Sequence, residues 1–128
     1  MPKRQTTKKA MSTEIQGKGS WVKYKVPTVA VFRDFRQKIG SINERLEQLS
    51  KDGQTNSEEF NSLAKQSEAI NIDFMSEYIT EWNWVSDEAG EVPMPQPLGN
   101  KEVFYDLTTP EMVFLAGLFN PDTKKKTR

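Results

Sequence analysis

Two tryptophans separated by one residue, Trp82-Asn83-Trp84, constrain this chain more than any other feature. Residues i and i+2 point to different faces of a helix but share a face of an extended segment. The chain therefore leaves helical structure near Trp82 and lays two large rings against something. The acidic turn Asp87-Glu88-Ala89-Gly90 follows, and then the alternating prolines of Pro93-Met94-Pro95-Gln96-Pro97. Together they forbid a return to helix until about Thr109.

Upstream, the hydrophobic spacing is helical. Val29, Phe32, Phe35, Ile39, Ile42, Leu46 and Leu49 recur every three or four residues, with Thr28 placed to cap the first turn. The polar run Lys51–Asn56 reads as a loop, and Asn56 with Glu59 offers a capping box for a second helix. That helix carries Phe60, Leu63, Ser67, Ile70, Phe74, Tyr78 and Trp82, thickened by Ala64, Met75 and Ile79. A short loop between two long stripes predicts an antiparallel helical hairpin. Before it, Ser20–Val26 alternates like a short strand, Trp21 and Lys23 on one side and Val22, Tyr24 and Val26 on the other, until Pro27 stops it. A last helix opens at Thr109-Pro110-Glu111, with Thr109 as cap and Met112, Leu115, Leu118 and Phe119 on its inner face.

The expected fold class is thus mainly α: an antiparallel helical hairpin plus a C-terminal helix, with a short N-terminal strand and a Trp/Pro-rich crossover. Residues 1–19, polar and broken by Gly17 and Gly19, read as a disordered basic arm. Residues 20–119 read as a single helical domain, and 120–128 as a flexible basic tail carrying Lys124-Lys125-Lys126. The core is modest for 128 residues, so the fold is expected to be marginal alone and to gain from a partner.

Chemistry is sparse. The chain has neither histidine nor cysteine, which removes the commonest general base, the usual nucleophile–base pairs, most zinc sites and any disulfide framework. No cofactor, metal or catalytic residue is expected. Asp87, Glu88 and Glu91 lack the alternation of a calcium loop and read as a solvated acidic turn. No apolar run reaches the ~18–20 residues of a membrane span, and the basic N-terminus is followed by no apolar segment of signal-peptide type, so a cytoplasmic, membrane-free setting is the default expectation.

The zero net charge conceals segregation. Residues 1–40 carry ten Lys or Arg against Glu14 and Asp34, whereas residues 41–111 carry four against fifteen Asp or Glu. An acidic body disfavours a nucleic-acid grip by the folded face and favours a basic partner or head-to-tail self-association. Candidate partner contacts are Val113 with Phe114 and the tryptophans Trp82 and Trp84, although the tryptophans are expected to close the core beneath Pro93, Pro95 and Pro97 more than to contact a partner. Met112-Val113-Phe114-Leu115 makes the last helix apolar on more than one side.

In its order of motifs the chain resembles the small tail assembly chaperones of long-tailed bacteriophages. The resemblance spans roughly residues 20–119 and rests on five features. These are Trp21–Val26 leading through Pro27-Thr28 into a helix, Glu81-Trp82-Asn83-Trp84-Val85, the acidic turn Asp87–Gly90, the prolines 93–97, and Glu102-Val103 with Leu107-Thr108 before a final helix. The resemblance implies a mostly helical non-enzyme that binds the tape measure protein, keeps it soluble and supports tail tube assembly in the host cell cytoplasm. It also implies absence from the mature virion. The rival from another class is a small nucleic-acid-associated regulatory protein using basic terminal arms. Steep loss of binding with salt would mark the rival.

Overall fold

Along the computed structural model, which describes residues 2–119, the elements run β1 (Thr7–Met11), α1 (Thr13–Gln16), β2 (Trp21–Lys25), α2 (Val29–Lys51), α3 (Glu58–Tyr78), β3 (Ile79–Trp82), α4 (Lys101–Tyr105) and α5 (Thr109–Gly117). The protein is helix-rich, with a small three-stranded antiparallel sheet in the order β1-β2-β3. Its residues fall into two compact units, one built from the chain up to Val26 together with Met75 onward, the other from Pro27–Phe74. The lysine run 124–126 lies outside the described residues. Among the described residues no helix is long and apolar enough to cross a membrane.

The 27–74 unit consists of α2 and most of α3. Thr28 caps α2 as expected, its hydroxyl accepting from the Val31 amide at 3.2 Å. The cap of α3 is Ser57 rather than Asn56. Its hydroxyl donates to the Gln54 carbonyl at 2.9 Å and accepts from the Phe60 amide at 3.1 Å, so one side chain closes the turn and starts the helix. Glu59, freed from capping, makes a two-pronged pair with Arg45 at 2.8 and 2.9 Å. At the other end of these helices the Phe35 ring stacks on Phe74 with centroids 4.2 Å apart, and Phe32 leans on both.

The expected hydrophobic stripes are only partly used. Val29 is 83% exposed and Ala64 is exposed, while Ile72, outside the expected stripe, is buried together with Leu49 and Phe74. Three buried apolar side chains make a thin core for two helices of this length.

The Arg45 pair gives this unit a pH signature. Hydrogen bonding to the guanidinium, aided by its charge, holds the Glu59 carboxyl below the ordinary glutamate value. A carboxyl depressed on folding contributes stability above its unfolded pKa and loses it as pH falls through the folded value. The pair is fully exposed, so the contribution is small. NMR titration should find Glu59 protonating at lower pH than a free glutamate, and Arg45→Gln should return it to the ordinary range. An unchanged titration in that variant would mean the pair does not form.

The other unit holds the sheet. β1 pairs with β2 from Thr7↔Lys25 to Met11↔Trp21, and β2 pairs with β3 through Val22↔Trp82 and Lys23↔Glu81, with an irregularity at Lys23/Tyr24. Three expectations are corrected here. The chain returns to helix before Thr109, in α4, because the proline run ends at Pro97 and a turn closed by the Asn100 amide donating to the Pro97 carbonyl at 3.0 Å leads straight into Lys101–Tyr105. Residues 7–16, read as part of a disordered arm, form β1 and α1. Thr7–Met11 has no hydrophobic alternation of its own and is ordered by its backbone ladder with β2. The turn between them is drawn closed by Gly17 and Gly19, both in the left-handed region at φ 105° and 86°, and by the Ser12 amide donating to the Ser20 carbonyl at 2.9 Å. Likewise Ile79–Trp82, read as the end of the second helix, is strand. Its helical spacing is real, but pairing with β2 and the β-branched Ile79 and Thr80 win.

The inner face of the sheet carries Val22, Ile79 and Trp82, buried with Met75, Trp84, Met94, Val103, Phe104, Leu115 and Phe119. Tyr24 meets Phe119 edge-on at 5.5 Å, and partial burial pushes its phenol pKa up.

Candidate functional site

The Trp-Asn-Trp segment organises this core. Beyond β3 the chain stays extended, so Trp82 and Trp84 share a face and their rings stack at 4.8 Å, nearly parallel at 5°. Each indole N–H is satisfied: Trp82 Nε1 donates to the Pro95 carbonyl at 2.9 Å, Trp84 Nε1 to the Ser12 hydroxyl at 2.9 Å. Asn83, between them, points to the other side. Its Oδ1 accepts from the Trp21 amide and its Nδ2 donates to the Gly19 carbonyl, at 2.9 and 3.1 Å, so its side-chain amide prolongs the ladder past the end of β3. Gln96 does the same on the opposite edge, accepting from the Trp82 amide at 3.1 Å and donating to the Trp82 carbonyl at 2.9 Å. Both tryptophans are 1% exposed and offer no surface to a partner as they stand. Of the three prolines, Pro97 is buried whereas Pro93 and Pro95 are exposed, so the expected stack of all three over the rings is not formed.

α5 is fixed from its first turn. Thr108, not Thr109, is the cap: its hydroxyl accepts from the Glu111 amide and the Glu111 carboxylate accepts from the Thr108 amide at 2.9 Å. The second Glu111 oxygen accepts from Gln16 Nε2 at 2.6 Å, and Gln16 also bonds both the amide and the carbonyl of Val85, at 2.9 and 3.1 Å. One side chain of α1 thereby fastens α5 to the segment after Trp84. Sequence spacing gives no sign of this, because the partners lie 69 and 95 residues away. Beside the fastener is a cleft of about 260 Å³ with Val85, Met94 and Val103 as its apolar wall and Asp106, Thr108 and Glu111 at its polar rim. Glu111 is already engaged there, which makes it a structural carboxylate.

Of the remaining sequence candidates, Phe114 is half-buried with its ring 6.2 Å from Trp84, and Val113 is 65% exposed. Trp82, Trp84 and Phe114 form one aromatic row; Val113 stands outside it. The acidic turn is held internally, Asp87 accepting from the amides of Glu91 and Val92 at 3.0 and 2.9 Å. On the opposite, outer face of the sheet, Lys9 Nζ lies 4.8 Å and Lys23 Nζ 5.3 Å from the centre of the half-buried Trp21 ring. The sequence places Trp21 and Lys23 on one side of a strand but cannot bring Lys9 to them. Comparisons of the chain with protein-family models, with curated proteins and with solved structures return no match.

Proposed function

We propose that this chain is a non-enzymatic tail assembly chaperone that binds the tape measure protein, or another tail protein, in the host cell cytoplasm and is left out of the mature virion. The observation that carries the reading is that three of the motifs behind the resemblance meet in one place. Trp21 is held by Asn83, Trp82 stacks on Trp84, and the Met94 amide of the proline run donates to the Trp84 carbonyl at 2.9 Å, while Thr108 opens the last helix as its cap. Such a set makes sense as the frame of a fold rather than as scattered similarities. The pairing of Phe35 with Phe74 and of Arg45 with Glu59 supports reading α2 and α3 as an antiparallel hairpin, with the Trp/Pro-rich crossover leading from it to the last helix. The thin core of the 27–74 unit suits a protein that gains stability from its partner.

The client contact is α5. Its inner side is committed to the core through Leu115, with Phe119 buried just past its end, and Val113 is the large apolar group of the helix left outside, in reach of an apolar helix laid alongside. The test is co-expression with a tape measure protein, the client that the resemblance implies. Wild-type chain should keep that client in the soluble fraction. Val113→Asp should lose most of that effect with an unchanged melting curve. Phe114→Ser should lose it as well, with some loss of stability from its contact with Trp84. A client equally soluble with or without the chain would remove the proposal.

A further inference from the structure

We propose that the outer face of the three-stranded sheet binds a single-stranded polynucleotide, Trp21 stacking a base while Lys9, Lys23 and Lys25 hold phosphates. Side chains alternate along a strand, so Thr7, Lys9 and Met11 of β1 share this face with Trp21, Lys23 and Lys25 of β2. Lys9 sits directly opposite Lys23 in the register. Like charges in facing positions destabilise a sheet, and the acid of β3 on this face, Glu81, reaches only Lys23, at 3.8 Å. The face therefore concentrates positive charge at a cost to its own stability, and a seated anion relieves that repulsion. Residues 2–26 as a whole carry seven Lys or Arg against Glu14.

The aromatic ring decides which anion. The two ammonium groups lie over Trp21, and Lys25 Nζ lies 5.5 Å from the Tyr78 ring, so the charges are tethered beside π faces. An aromatic face is negative and repels a carboxylate, so an acidic peptide would gain from the lysines and lose at the ring. A nucleobase gains at both, because the lysines move to its phosphates and the ring they leave accepts the base. Exposed Met11, directly across from Trp21, widens the apolar platform. A duplex is disfavoured twice. Its bases are closed in their own stack, and the rest of the unit is acidic overall, residues 75–119 carrying eight Asp or Glu against Lys101, which raises the cost of bringing up a doubly charged backbone. A single strand needs only a narrow track.

This site is independent of the chaperone reading, which concerns α5. The probe is a fluorescein-labelled deoxythymidine oligonucleotide of about 12 nucleotides, within the usual single-strand site size, titrated with full-length protein at about 50 mM salt and followed by anisotropy. Saturable binding is expected, with log affinity falling against log salt at a slope of about −2, the value for three phosphates on a single strand. Lys9→Gln with Lys23→Gln should weaken binding at least about tenfold with an unchanged circular dichroism spectrum, the relief of the like-charge pair being set against the lost contacts with Trp21 and Glu81. Trp21→Ala should weaken it at least about fivefold and Trp21→Phe much less, as stacking requires. Absence of binding, equal affinity for a duplex of the same length or for a polyglutamate peptide, or unchanged affinity in the Lys9→Gln/Lys23→Gln variant would each overturn the proposal. Client solubilisation should be indifferent to all four substitutions, so the two proposals fail separately.

Discussion

Trp84→Ala should destabilise the sheet-bearing unit by about 3–5 kcal/mol, the cost of truncating a buried tryptophan. The ring is 1% exposed, stacks on Trp82, contacts Phe114 and donates to Ser12. Its loss opens a cavity in the middle of an aromatic row rather than at an edge, where neighbours could close in. Small domains have only about 5–15 kcal/mol in total, so the variant should melt roughly 15–30 °C lower, if it folds at all. Trp84→Phe keeps most of the stack but not the N–H, and leaves Ser12 bonded to Ser20 alone at 2.6 Å. It should cost about 1–2 kcal/mol. Circular dichroism melts and urea titrations read both. If Trp84→Ala instead melts like wild type and only loses its client, Trp84 is a binding anchor rather than a core residue.

Gln16→Leu should have the next largest effect, about 2–3 kcal/mol, although it removes no apolar contact. Leucine fills a similar space but leaves the Val85 amide and carbonyl and one Glu111 oxygen without the partner they have now, and a stranded part-buried polar group costs more than its bond is worth. Glu111→Ala should cost about 1–2 kcal/mol, through loss of the capping box together with the Gln16 bond. The two share one network. The double variant should therefore be less destabilised than the sum of the singles, by about 1 kcal/mol or more. Additive costs would show that Gln16 and Glu111 act separately and that the fastener is no unit.

What could be read from residues alone was whatever is encoded over one or two turns of chain. The 3–4 spacing from Val29 to Leu49 gives α2, with Thr28 as its cap. The i, i+2 tryptophans require an extended segment, and their rings do stack on one side of it. The helix after Leu107 is legible from Thr, Pro and Glu in sequence, though its cap sits one residue earlier than expected because Thr108, three residues before Glu111, is the threonine whose exchange with Glu111 closes. The same reasoning fails for Thr7–Met11 and Ile79–Trp82. A lysine-rich segment without alternation looks like a solvated arm, and a strand whose residues also continue a helical stripe looks like helix; only pairing with β2 decides both.

The division follows from where the free energy is gained. Caps, turns and amphipathic faces draw on neighbours within a few residues, so the sequence determined α2, α5 and the break at the tryptophans without help. Sheet ladders, the Gln16 bridge to Val85 and Glu111, the indole bond to Ser12 and the approach of Lys9 to Trp21 join residues from 10 to 95 positions apart. A backbone amide pairs with a distant strand, or a lysine settles over a distant ring, whatever the local pattern says. Those contacts, and with them the lysine-lined face around Trp21, exist only once tertiary structure has brought the partners together.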